Sequence, residues 1–149
     1  MGNRHDDRFG RTVVPMTTTD TNTTTPDIDP ADLIDAHLEA YALADTDRRD
    51  ALVAASWNTD GELLDPPLEG RGRAEISALA DAVLAHFPGH RFVRTTAIDA
   101  HHGFARYGWD LVGADGVVAV NGTDVAQFDE TGKLLRIVGF FGPLEPVAG

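Results

Sequence analysis

Val117-Val118-Ala119-Val120-Asn121-Gly122-Thr123-Asp124-Val125-Ala126-Gln127-Phe128 reads as one long β-strand. Successive side chains of a strand point to opposite faces. One face holds Val118, Val120, Gly122, Asp124, Ala126 and Phe128; the other holds Val117, Ala119, Asn121, Thr123, Val125 and Gln127. The first set is apolar apart from Asp124, so it is expected to point inward, provided the register does not break at Gly122. A carboxylate on a core-facing strand is expensive unless it is paired, hydrogen-bonded or protonated. Asp124 is therefore either a buried aspartate satisfied by a tyrosine, a histidine or a backbone N–H, or an acid whose chemistry burial has tuned.

Working outward, Gly113-Ala114-Asp115-Gly116 and Asp129-Glu130-Thr131-Gly132 read as hairpin loops. They predict partner strands over 104–112 and 133–141. A further strand is expected over 91–99, with His101-His102-Gly103 as the turn after it. Trp109 shares a strand face with Ala105, Tyr107 and Leu111. If that face points outward, it is an apolar patch suited to a homodimer.

Before residue 90 the period changes to 3.6. Asp29 can cap a helix whose first position is Pro30. Ile34, Leu38 and Tyr41 recur there at helical spacing, on one face with His37. Tyr41 is either a packed aromatic with its hydroxyl at the core edge or an inward hydroxyl with work to do. A short helix follows over 50–57, marked by Leu52, Val53 and Trp57. A third is expected over 73–87, marked by Ile76, Leu79, Ala80, Val83 and Phe87, and ended by Pro88-Gly89. Between them, Asp60-Gly61-Glu62-Leu63-Leu64-Asp65-Pro66-Pro67-Leu68-Glu69-Gly70 reads as a strand over 62–65 that two prolines stop. Asp65 then sits at a strand end, either as a turn residue satisfying local N–H groups or as a base at the mouth of a cavity. The order α-α-β-α-β-β-β-β argues an α+β fold, with helices on one face of a curved, mainly antiparallel sheet.

The chain has 149 residues, 42% of them hydrophobic, which suits one domain around one core. Residues 1–28 are expected to form a disordered tail and residues 29–145 the domain. The tract Thr17-Thr18-Thr19-Asp20-Thr21-Asn22-Thr23-Thr24-Thr25-Pro26 is too polar to offset its ordering entropy. Met16 opens that tract and is a second place where translation could start. Net charge is −12, and residues 1–29 carry three arginines against five aspartates, so ten of those negative charges belong to the domain. That disfavours nucleic acid and anionic membranes as partners. There is no cysteine, which excludes disulfides and thiolate chemistry. No apolar run reaches membrane-spanning length and no signal-peptide core is visible, so a cytoplasmic protein is expected.

Tyr41, Asp65 and Asp124 thus share one expected interior. A phenol and two carboxyl groups in an apolar pocket form an acid/base set. One carboxylate could take a proton, and the phenol and a protonated carboxyl could donate to a developing oxyanion. Two carboxyl groups in different surroundings can hold different protonation states at one pH.

The element order and three local patterns resemble the NTF2-like, or SnoaL-like, superfamily, a cone of helices around a strongly curved sheet. Within it the pattern is similar to ketosteroid isomerases. The patterns are Tyr41 in Glu39-Ala40-Tyr41-Ala42, Asp65 in Leu64-Asp65-Pro66, and Asp124 four positions before Phe128 and the Gly132-Lys133 turn. The ending Gly139-Phe140-Phe141-Gly142 resembles the last strand of those enzymes. The resemblance covers roughly 29–142. It implies that Asp65 shuttles a proton at a carbon next to a carbonyl. It also implies that Tyr41 and a protonated Asp124 hold the enolate oxygen, and that no cofactor takes part. It further implies a small apolar substrate and a homodimer. The same fold also hosts SnoaL-type polyketide cyclases and dehydratases, and noncatalytic modules that bind a ligand or a protein.

Trp57, Phe87, Trp109 and Phe128 are candidate aromatic walls of the pocket, or else simple core. The six histidines lack the spacing of a zinc site on one helix face, so no metal is expected. His90 or His102 could serve as a second base.

Overall fold

The computed structural model describes residues 29–148. The expected tail over 1–28 and the question of Met16 lie outside the described residues. Within them run α1 (Pro30–Ala40), α2 (Thr46–Ser56), β1 (Trp57–Leu64), β2 (Glu69–Arg71) and α3 (Arg73–His86). These are followed by β3 (Arg91–Arg94), β4 (Asp99–His101), β5 (Phe104–Val112), β6 (Val118–Phe128) and β7 (Leu134–Phe141).

The sheet order is β2-β1-β7-β6-β5-β3, with β4 also paired to β5. All pairings are antiparallel except β1 with β7, which run parallel. The three helices and the curved mixed sheet match the expected α+β cone. The helices close over the concave face and bury Ile34, Leu38, Val53 and Ile76 against Leu63, Trp109, Leu134 and Ile137.

The strand whose alternation decides the fold keeps its register through Gly122, where Trp109 faces Gly122, but an irregularity at Ala119 leaves Val118, expected inward, exposed. Asp124 and Ala126 are buried, while Thr123 and Val125 are exposed. Gly122 is required by packing. A side chain there would run into the Trp109 indole and the Phe140 carbonyl, so the sheet can wrap around Trp109 only over a bare backbone.

Four boundaries differ from expectation. The second helix starts at Thr46, because the Asp45 carboxylate accepts from the N–H groups of Asp47 and Arg48 at 3.1 and 3.2 Å. Trp57 leaves that helix to open β1, whose polar Asn58-Thr59-Asp60 run conceals its strand character. Glu69–Arg71, for which no strand was expected, forms a short hairpin partner for β1. The strand expected over 91–99 is broken into β3 and β4. At the break the Thr96 hydroxyl takes the Gly108 N–H at 2.9 Å, a bond the strand ladder would otherwise make.

Candidate active site

Tyr41 follows directly on α1 and is its C-cap. Its ring packs on His37 at 5.1 Å and on Phe92 at 4.8 Å between centroids. Asp65 follows the last residue of β1, where the prolines end the ladder. Its N–H donates to the Leu68 carbonyl at 2.8 Å, closing the turn and leaving its carboxyl free to reach inward. Asp124 lies in the middle of β6 and is 5% exposed. The register sets Asp124 between Tyr107 on β5 and Gly139 on β7.

These elements bring Tyr41, Asp65 and Asp124 to one hollow of about 10 Å³, which His37, Leu63, Phe92 and Trp109 also line. Gly139 is the floor between the two carboxyl groups. A Cβ there would overlap Asp65 and stand 2.8 Å from Asp124 Oδ1. Above the hollow opens an apolar cavity of about 530 Å³, and Asp65, Phe92 and Trp109 line both.

Asp124 is satisfied by side chains. The Tyr107 hydroxyl donates to its Oδ2 at 2.8 Å, and the Trp109 indole N–H donates to its Oδ1 at 2.9 Å. Burial pushes its pKa up to about 6, against the pull of those two hydrogen bonds. Among the described residues, none donates a hydrogen bond to Asp65 that would hold its charge. Burial first, and then the negative charge of Asp124, push it up to about 7. The two form a coupled pair that titrates as a unit. Burial and both carboxylates raise the Tyr41 hydroxyl well above the ordinary phenol range, so it stays a donor. His37 is driven down to about 3 by burial and is neutral.

Of the four expected aromatic walls, Phe87 and Trp109 line the cavity. Trp57 and Phe128 do not line it. Trp57 is fully buried in the core, stacked edge-on against His37, and Phe128 packs on the same cluster. The face of β5 that carries Trp109 points inward, with Ala105, Tyr107 and Leu111 all buried, so it is not a surface patch. The exposed face carries Phe104, Val125 and Phe140 instead.

Tyr107 was not among the expected site residues, yet it holds one carboxyl oxygen of the dyad. A signal for it existed. Tyr107 lies on the strand that a single hairpin loop joins to the strand of Asp124. Residues paired across an antiparallel ladder share a face, so an inward Asp124 demands an inward neighbour on β5. His90, His101 and His102 lie away from the hollow. His90 approaches Gly113, and His101 and His102 bring their Nδ1 atoms within 3.1 Å of each other on the exposed turn. Among the described residues no group of three or more potential metal ligands is found.

A SnoaL-like family protein from Agrobacterium tumefaciens, described as a candidate isomerase, is 33% identical in sequence to this chain. It superposes with a TM-score of 0.71, over 76% of this chain and 97% of that one.

The chain belongs to the SnoaL-like family.

Other SnoaL-like and NTF2-like structures share the fold at lower identity. A hypothetical protein with a ketosteroid isomerase-like fold from Catenulispora acidiphila, solved with trimethylamine, aligns with a TM-score of 0.58 at 13% identity, over 72% of this chain and 83% of its own. A polyketide cyclase assignment from Sinorhizobium meliloti aligns with a TM-score of 0.55 at 14% identity, over 76% of this chain and all of its own. No protein-family model and no curated protein sequence matches the chain. The SnoaL-like cone is thus shared with proteins of different described activities, and the site must carry the argument about chemistry. No helix among the described residues is long and apolar enough to cross a membrane.

Proposed function

We propose that this SnoaL-like protein is a cofactor-independent acid/base isomerase that enolises a small apolar carbonyl compound. One observation carries the reading: Asp65, a carboxyl with no hydrogen-bond donor among the described residues, lines both the apolar cavity and the small hollow it shares with Tyr41 and Asp124. The Asp65 carboxylate takes a proton from the carbon next to the carbonyl. The C–H electron pair moves into a C=C bond while the carbonyl electrons move onto oxygen. The Tyr41 hydroxyl donates a hydrogen bond to that oxygen, and Asp124 joins it in its protonated form. Asp65 then returns the proton to another carbon of the extended enolate, and the double bond has moved. A positioned base contributes about 10²–10⁴ in rate, and each preorganised oxyanion donor about 10²–10³.

This chemistry needs one proton across the two carboxyls. Asp124 accepts hydrogen bonds at both oxygens, which favours its charged form, while its burial favours the neutral form. The active species is the singly protonated dyad. A polyketide cyclase would begin with the same proton abstraction, so that reading shares the roles of Asp65 and Tyr41. In a binding module the Tyr107 and Trp109 bonds to Asp124 would be purely structural.

The test is deuterium exchange and double-bond migration in 3-cyclohexen-1-one and larger β,γ-unsaturated cyclic ketones, followed by NMR in D₂O. Wild type is expected to accelerate both processes, and Asp65→Asn to lose at least about 10²-fold. No acceleration with any of these ketones, alongside tight ligand binding, would favour the binding module. We further propose a homodimer that covers the exposed sheet face around Val125 and Phe140.

A further inference from the structure

Among the described residues lining the large cavity, only Asp65, Trp109 and His86 carry polar side-chain atoms. The Trp109 N–H is committed to Asp124, which leaves His86 as the one polar group away from the floor. His86 closes α3, and its Nδ1 lies 2.9 Å from the Ala82 carbonyl oxygen. A carbonyl only accepts, so Nδ1 carries the hydrogen. In the neutral ring Nε2 is then a fixed acceptor.

The sheet register gives the height of His86 above the floor. Tyr107, Asp124 and Gly139 lie at floor level, and Leu111 pairs with Val120 higher up the wall. Asp124 and Val120 are four residues apart on β6, about 13 Å at the usual strand rise of ~3.3 Å per residue. The end of α3 belongs to that upper level, because His90, just beyond it, packs against Gly113, the residue after β5. The cavity is therefore an apolar shaft with the Asp65 carboxyl at its foot, where it meets the hollow of Tyr41 and Asp124, and the exposed His86 at its mouth.

We propose that His86 is a specificity-determining residue, and that the substrates are rigid apolar carbonyl compounds carrying a hydroxyl at the end remote from the enolised carbonyl. This rests on the floor acting as proposed above. The remote hydroxyl donates to His86 Nε2 while the reacting oxygen sits at Tyr41. His86 touches no reacting atom, so it acts on which molecule binds and in which orientation.

The probes are two flat phenols, 2-naphthol and 2,6-dihydroxynaphthalene, titrated by calorimetry. Either can place one hydroxyl at the floor as a mimic of the enol, and only the diol has a second hydroxyl at its far end. Wild type is expected to bind the diol about tenfold more tightly, a factor of about two for its two equivalent hydroxyls and about fivefold for one added hydrogen bond. His86→Phe lowers the ratio of the two affinities to the statistical factor of about two, and His86→Gln, which keeps an acceptor near Nε2, restores part of it. A diol advantage well above twofold that survives His86→Phe overturns the proposal. So does a wild-type advantage of no more than about twofold while 2-naphthol binding still weakens in Tyr41→Phe; in that case the floor reading stands. If wild type binds 2-naphthol no better than Tyr41→Phe and Asp65→Asn do, the floor reading falls and the proposal falls with it.

Discussion

Asp65, half-buried, and Asp124, buried, both lie over the backbone of Gly139. Their different partners divide the work, because Asp124 accepts two hydrogen bonds and Asp65 none from the described residues. In Asp124→Asn one cause of the raised Asp65 pKa disappears, so that pKa falls below about 7 while burial keeps it above the ordinary carboxylate range. The limb of the pH–rate profile that reports the base should move to lower pH. Stability carries the same signature. The folded state holds the Asp65 proton more tightly than the unfolded chain, so stability declines as pH rises from about 4 towards about 7. Asp65→Asn, which removes the buried charge, should raise the melting temperature at pH 8 by more than at pH 4, as calorimetry would register. Strand parity and the proline stop made both aspartates legible as inward groups in the sequence. The donors to Asp124 were not, because Tyr107 and Trp109 lie on a strand that also carries Arg106 and Asp110, and its inward face could be read only through its neighbour.

At the scale of elements, the site depends on β7 passing between the two carboxyls without a side chain. Gly139→Ala would press a methyl group into Asp65 and close to Asp124. A displacement of about 1 Å at a base costs on the order of 10² in rate. That loss of kcat is expected with the circular dichroism of the folded protein retained, since Gly139 lies in regular sheet. The helical layer is pinned by Arg49, buried on α2. It donates to Ser77 Oγ at 3.2 Å, to the Leu43 carbonyl at 3.0 Å and to Asp81 on α3 at 3.1 Å. Arg49→Ala should cost about 2–3 kcal/mol in denaturant unfolding, because Ser77 Oγ loses a donor and the part-buried Leu43 carbonyl loses its partner. Helix positions were legible from caps and apolar spacing, and β5 and β6 from alternation. The break between β3 and β4 was not, because it turns on one threonine hydroxyl bonding to Gly108. Nor was the start of β1, where Asn58 and Asp60 look like loop residues but Asn58 is tied across to Asp129 at 2.7 Å.

The whole molecule is a cone with two distinct surfaces. The concave one holds the shaft from Gly139 to His86, and the opposite face of the sheet exposes Val125 and Phe140. A homodimer across that exposed face predicts twice the chain mass in light scattering, and Phe140→Asp should shift it to the monomer with little loss of folding stability. The cone was legible because the order of elements and the change of period carry it. The wall composition was less so, since Trp57 and Phe87 look alike in sequence and only packing sends one to the core and the other to the cavity. The account stands on the dyad at the foot of that cavity. Its most direct test is a pH titration of aspartate carboxyl carbons by NMR, on wild type and on Asp124→Asn. Wild type should show two coupled transitions raised to near pH 6 and 7, collapsing to one in Asp65→Asn and to one at lower pH in Asp124→Asn. Two aspartates titrating independently in the ordinary carboxylate range would contradict it.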